Sequence, residues 1–353
     1  MSDRKRSWLV LTDGYLTARN AKTAHGVLRY ARDDIAAVID SEHAGRDLGD
    51  VAPGLHRRAP IVASVEEGLR YRPTSLLLGV ATPGGWIPQH WRRMVIEAIE
   101  AGLEIANGLH TFLRDDEELV RLAEQRGATL WDVRDPPADI PLFAGRNLDS
   151  ASRVVLTVGS DCAVGKMTAA LELRDAAERS GRRSEFVATG QTGILIAGKG
   201  IAVDRVISDF VAGAAERLVA EADPEADVLI VEGQGSLWHP AYSGVTLGLL
   251  HGSAPEVMVF VHQAGRTAIE EPPYTQLPPL AEMVSTYEQL ASAVRPARVA
   301  CVALNCGGLD DDAAARAAAE VEDATGLPAA DVLRDGAARL WAAAEEALFG
   351  QPA

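Results

Sequence analysis

Residues 153–168, RVVLTVGSDCAVGKMT, constrain this chain more than any other stretch. The β-branched, continuously apolar run reads as a strand covered on both faces, the glycine-bounded part as a tight loop, and the residues from Lys166 as the first turn of a helix. That order makes a phosphate-binding loop. Glycines let a phosphate approach the backbone, loop amides and the helix N-terminus supply partial positive charge, and Lys166 adds a full charge. The candidate contacts are Gly159, Ser160, Asp161, Cys162, Ala163, Val164, Gly165, Lys166, Met167 and Thr168, with Lys166 expected on an exposed loop. The loop is one residue longer than the common GxxxxGK[ST] spacing.

Around this unit, short β-rich runs alternate with helical stretches. Strands are expected at 8–12, 35–39, 61–63, 76–80, 103–107 and 130–133, then at 153–158, 185–188, 228–231, 257–261 and 299–304. Helices are expected at 91–101, 117–125 and 165–179, ending at Gly102, Gly127 and Ser180-Gly181, and an Ala-rich tail at 311–348 reads as helical throughout. Strand-helix alternation implies parallel sheets with right-handed crossovers. At 353 residues two domains are the natural division, and RDPPADIPLFAGRN, with three prolines, breaks the rhythm as a linker would. The expected architecture is α/β: a Rossmann-like parallel-sheet domain over 1–140 and a P-loop parallel-sheet domain over 150–353.

A net charge of −16 repels polyanions, and no Lys/Arg cluster with interleaved aromatics offsets it, so nucleic acid is not expected as a partner. An anionic small molecule must then be held by local devices, and only four lysines exist to serve, Lys5, Lys22, Lys166 and Lys199. No run approaches the roughly 18 apolar residues of a membrane span, and MSDRKRSWLVLTDG enters a strand with no signal-peptide core, which reads as cytoplasmic. Cys162, Cys301 and Cys306 show no metal-ligand spacing and read as buried, reduced thiols; no metal site is expected. A homo-oligomer is expected, and EEPPYTQLPPLAEMV is either a subunit contact or a surface loop.

Two further strand ends carry chemistry. DVLIVEGQGS ends a strand on Glu232, where a neighbouring strand of a P-loop sheet presents an acid near the phosphates, and VALNCGG ends one on Asn305, an amide able to read an adenine edge. GSDCAVGKMT, VEGQGS and LNCGG together resemble the dethiobiotin-synthetase-like branch of P-loop proteins. With LTDGYLTARNAKTAHGVLRY, ASVEEG, ATPGG, IANGLHTFL, TGQTG, SDFVAGAAE and HQAGR, nearly the whole chain is similar to a two-domain bacterial family, long described as epimerase or dehydratase, that includes D-glutamate N-acetyltransferase.

The epimerase description conflicts with the residues, because the first strand leads into TDGYLTARNAK and not into GxGxxG with an acid about 20 positions on. The first domain is instead similar to the CoA-binding domains of succinyl-CoA synthetases. The residue after the P-loop lysine is Met167, where a nucleoside triphosphatase has a Ser or Thr for Mg²⁺, and Thr168 is rotated away by about 100°. The resemblance therefore implies acetyl transfer from acetyl-CoA to a small acidic amino acid, D-glutamate by similarity. The alternative is an ATP- and Mg-dependent kinase or ligase acting on a small carboxylate. Glu232, His239 and His262 are the candidate bases, Lys166 or loop amides the oxyanion donors, and Arg266 and Lys199 the candidate cations for substrate carboxylates.

Overall fold

A computed structural model of the chain describes residues 5–82, 85–271 and 275–350. The run EEPPYTQLPPLAEMV includes Pro272, Pro273 and Tyr274, which lie outside the described residues. The chain divides into two compact units, Met1–Asp135 with Gln191–Ala202, and Pro136–Gly190 with Val203–Ala353. Each is built round its own six-stranded sheet, and every pairing in both is parallel.

The first sheet comprises β1 (Ser7–Leu11), β2 (Asp34–Ile39), β3 (Ile61–Val62), β4 (Ser75–Leu78), β5 (Glu104–Asn107) and β6 (Leu130–Asp132), in the order β3-β2-β1-β4-β5-β6. Winding reverses between β1 and β4, and in such sheets the crevice at the strands' carboxyl ends is where ligands bind. The helix Lys22–Tyr30 follows β1 closely: a Cβ on Gly79 would lie 2.7 Å from that of Ala24. In dinucleotide-binding sheets an acid at the end of the second strand takes a ribose hydroxyl. Asp40 stands there, fully buried, but its Oδ2 accepts from Thr12 Oγ1 (3.3 Å), Gly14 N (3.0 Å) and Leu16 N (3.2 Å), and its Oδ1 bonds His43 Nδ1 at 2.7 Å. This carboxylate fixes the loop after β1 and has no edge left for a ribose. The helix Gln191–Ala197 packs on Lys22–Tyr30, with Thr192 Oγ1 donating to Thr23 Oγ1 at 3.2 Å.

The second sheet comprises β7 (Arg153–Gly159), β8 (Ser184–Val187), β9 (Val228–Val231), β10 (Val257–Gln263), β11 (Arg298–Asn305) and β12 (Ala329–Asp331), in the order β12-β11-β10-β7-β9-β8. Leu156, Val158, Leu229, Val231, Phe260 and Tyr287 form part of its core, and each such buried side chain contributes roughly 1.5–3 kcal/mol over its exposed state. That burial explains why β7 and β9 read as unbroken apolar runs. The Pro-rich stretch is anchored here and does not hang as a linker: Ala144 N (2.9 Å) and Arg146 N donate to the buried Glu216, and Asn147 Nδ2 donates to Gly252 O at 2.8 Å.

Two expectations need correction. The tail is not one helix: Gly326, left-handed at φ 70°, ends the helix Asp311–Thr325, and after Pro328 the chain forms β12 before the helix Ala338–Phe349. Its alanines read as helix because β12 is a short edge strand with no β-branched residue. Of the cysteines, Cys301 and Cys306 are buried with thiols pushed up to about 12 and about 11, chiefly by burial, but Cys162 is only half-buried, in the phosphate loop. Among the described residues no helix is long and apolar enough to cross a membrane.

Candidate phosphate-loop site

β7 runs between β9 and β10, so its loop opens between the ends of those two strands. Register decides what stands beside it. Leu156 pairs with Val231, which brings Glu232 level with Thr157, just before the loop, and Val261 pairs with Gly159, which sets His262 against Ser160. The loop takes positive φ at Ala163 (56°) and Gly165 (110°), turning successive amides toward one concavity as anion-binding nests do. The helix Lys166–Arg179 starts at Gly165, left-handed, with no side-chain cap. Its first-turn N–H groups remain for a ligand.

The loop is braced from several sides. Tyr287 OH donates to Gly159 O and Ser236 Oγ to Ser160 O, both at 2.8 Å, and His262 Nδ1 bonds Ser160 Oγ at 2.9 Å. Asn305 Nδ2 donates to Val164 O at 3.3 Å while its Oδ1 accepts from Gly307 N at 3.0 Å, so the amide expected to read an adenine edge positions the loop. Asp161, buried, accepts from Cys162 N at Oδ1 (2.6 Å) and from Arg266 Nη1 (2.5 Å) and Glu270 N (2.8 Å) at Oδ2. Arg266 also bonds Gln263 Oε1 and Glu270. Arg266, expected as a cation for substrate carboxylates, is thus engaged within the chain.

Lys166 is not exposed, as its place in a loop suggested, but 7% accessible, with Nζ donating to Asp161 O at 2.7 Å. Burial lowers its pKa to about 8, against the pull of Asp161 and Glu232. Its stem crosses Gly233, whose Cβ, if present, would lie 3.2 Å from Lys166 Cδ and 1.7 Å from Thr157 O. Only glycine permits that approach. We expect Lys166→Ala to weaken binding of a phosphate-bearing ligand at least about tenfold by removing a charge-assisted contact; calorimetry showing unchanged affinity for acetyl-CoA and for ATP would take the loop out of phosphate binding.

Glu232, 4% accessible, is raised to about 7, chiefly by burial, against the opposing pull of two backbone hydrogen bonds and Lys166. Its Oε2 accepts from Thr189 N and Gly190 N, each at 3.0 Å. These amides follow β8, and the β8–β9 pairing delivers them; VEGQGS and TGQTG gave no hint of the contact because adjacency is set by sheet order. A carboxyl poised near neutrality beside a cation is suited to proton transfer.

The two histidines fit the base role less well. His239 Nδ1 accepts from Ala241 N at 3.2 Å, which leaves the proton of the neutral ring on Nε2, a donor. His262 is lowered to about 4 by burial and by Arg266, and stays neutral. Asp161, Cys162 and His239 offer ligand atoms within 4.8 Å of one another, as do Asp40, Glu42 and His43 in the first unit. In both groups the aspartate oxygens already carry hydrogen bonds. Met167 and Thr168 are half-buried in the first turn of Lys166–Arg179, and Lys199 is exposed in the segment grouped with the first unit.

Comparison with known proteins agrees with both halves of this architecture. Residues 141–341 match the P-loop domain of the domain of unknown function DUF1611, and residues 41–136 match its Rossmann-like N-terminal domain. The crystal structure of a DUF1611 family protein from Anabaena variabilis, at 2.30 Å resolution, superposes with a TM-score of 0.91 at 42% identity, covering 97% of this chain and 100% of that one. A D-glutamate N-acetyltransferase of Tritonibacter scottomollicae is 38% identical over 321 residues, 91% of this chain and 92% of that protein. One of a Pseudoalteromonas species is 37% identical over 274 residues, 77% and 82% of the respective chains. The chain belongs to the DUF1611 family of Rossmann-like and P-loop two-domain proteins, and is homologous over most of its length to the two D-glutamate N-acetyltransferases.

Proposed function

We propose that this chain is an N-acetyltransferase that moves the acetyl group of acetyl-CoA to the amino group of D-glutamate, a step in D-amino-acid breakdown. The observation that carries the reading is Glu232, a buried carboxyl raised to about 7 beside the P-loop lysine, taken with the names of the two relatives. The neutral amine attacks the thioester carbon, and the C–N bond forms as the carbonyl π pair moves to oxygen. Glu232 takes a proton from nitrogen, Lys166 or loop amides stabilise the oxyanion, and collapse breaks the C–S bond. CoA leaves as a thiolate, which the protonated Glu232 or water neutralises.

The loop suits phosphates held without a loop-bound Mg²⁺. Met167 offers a soft thioether where a hydroxyl would ligate the ion, and the loop's own carboxylate, Asp161, is tied to Arg266. Lys166 would hold phosphates of the carrier, and Glu232 beside it would accept the proton from the attacking amine.

The test is release of free CoA thiol from acetyl-CoA, dependent on D-glutamate, measured against ADP release from Mg·ATP. We expect thiol release equal to the N-acetylglutamate formed, persisting in excess EDTA and largely unchanged in Met167→Thr. ADP release without thiol release, or loss of activity in EDTA restored by Mg²⁺, would replace this reading with an ATP-dependent ligase or kinase.

A further inference from the structure

The first unit contains a cavity of about 400 Å³ at the carboxyl ends of its central strands. It sits where the order β3-β2-β1-β4-β5-β6 reverses, the crevice in which open parallel sheets bind ligands. Five segments distant in sequence meet there. LTDGYLTARNAKTAHGVLRY contributes Lys22 and Thr23, ATPGG contributes Thr82, IANGLHTFL contributes His110, and TGQTG contributes Gln191; Arg134 follows β6. All of these residues belong to the first unit.

The walls are built rather than incidental. Asn107, fully buried at the end of β5, donates through Nδ2 to Asp132 Oδ1 and Thr111 O, both at 2.8 Å, and accepts from Leu109 N at 3.0 Å. Asp132 in turn accepts from Leu113 N (2.9 Å) and Arg114 N (3.1 Å). This buried network fixes the turn that carries Gly108 and His110. Arg134, 8% accessible, donates from Nε to Gly108 O at 2.8 Å, which sets its guanidinium plane at the cavity wall. Thr23, buried, is held by Thr192.

The chemistry of the lining selects the ligand class. In a chain of net charge −16 with four lysines, a lysine, an arginine and a histidine converge on one cavity beside two hydroxyls and an amide, while Leu78, Val80 and Leu109 supply an apolar side. Such a lining complements a small molecule with oxyanion groups at one end and an apolar portion at the other. We propose that the first unit carries its own ligand site in this cavity, for the oxyanion groups of a small molecule, with Lys22 and Arg134 as the principal cations. Carboxylates and phosphates share this chemistry; the sources here are the acidic amino acid and the nucleotide end of the acyl carrier.

These two probes rest on the acetyl-transfer reading, and the test separates the failure of one from that of the other. Binding of D-glutamate and of adenosine 3′,5′-bisphosphate to the full chain is measured by calorimetry for wild type, Lys22→Met and Arg134→Met. Lys22 is exposed, so its replacement leaves the fold intact, and circular dichroism verifies this for both variants. We expect the Kd of one probe to rise about tenfold in Lys22→Met and at least as much in Arg134→Met, with Lys166→Ala as the second-unit comparison. Weakened D-glutamate binding assigns the cavity to the amino acid, and weakened bisphosphate binding assigns it to the carrier. Unchanged Kd for both probes in folded Lys22→Met and Arg134→Met overturns the site. Lys22-dependent binding in a protein that releases no thiol leaves the site standing and sinks the acetyl-transfer reading.

Discussion

If the proposed acetyl transfer is correct, Glu232→Gln is expected to lower kcat by about 10² to 10⁴, the usual worth of a positioned general base, while acetyl-CoA affinity changes little. The amide keeps the shape and can still accept from Thr189 N and Gly190 N, but it cannot take the amine proton. The pH profile carries a second signature. In the wild type we expect kcat/KM to rise through about 7 as Glu232 ionises and to fall above about 8 as Lys166 loses its proton, and the variant's residual activity to lack the rising limb. A fall in acetyl-CoA affinity with kcat preserved would assign Glu232 to the phosphate cradle and send the search for a base elsewhere.

The same substitution changes stability in a direction fixed by linkage. The folded carboxyl titrates at about 7, above its ordinary 4.5, so the fold binds this proton more tightly than the unfolded chain does. Its contribution is fully present below about 4.5 and is lost as pH rises through about 7. Glu232→Gln is therefore more stable relative to wild type at pH 8 than at pH 5, measured by urea unfolding. An equal difference at both pH values would contradict the raised pKa.

Gly233→Ala has the larger structural effect. Its new Cβ would stand 1.7 Å from Thr157 O, a backbone atom of β7, so relief requires β7 and β9 to part where Gly233 N donates to Thr157 Oγ1 at 2.9 Å. We expect a loss of about 3 kcal/mol or more and no detectable acetyl transfer, because the strand ends that set Glu232 beside Lys166 are the ones displaced. A wild-type melting midpoint and rate in this variant would mean that the two strands are not rigidly spaced at the site.

What the sequence made legible follows from local physics. β1, β7 and β9 to β11 announce themselves because buried parallel strands must be apolar on both faces, and the phosphate loop because its glycines and lysine are contiguous. Glu232 stood out because it closes an apolar strand. β12 was missed because its alanines carry no strand signal, and the roles of Arg266 and Asn305 shifted because their partners, Asp161 and Val164, lie more than a hundred residues away. His239 read as a base because the Ala241 amide that fixes its tautomer cannot be seen in composition or spacing. Lys22 and Arg134 drew no attention as a pair for the same reason: only the strand order brings their segments to one cavity.

The grouping of Gln191–Ala202 with the first unit has a consequence for synthesis. A chain emerges from the ribosome N-terminus first, at about 5–20 residues per second. All six strands of the first sheet are made before β7, but the helix Gln191–Ala197 that covers Lys22–Tyr30 emerges only after β7, the phosphate loop and β8. The first sheet thus waits, with Thr23 and its neighbours uncovered, while the opening strands of the second are also unpaired. A fragment ending at Asp135 would lack that helix and leave the face of Lys22–Tyr30 it covers open to solvent.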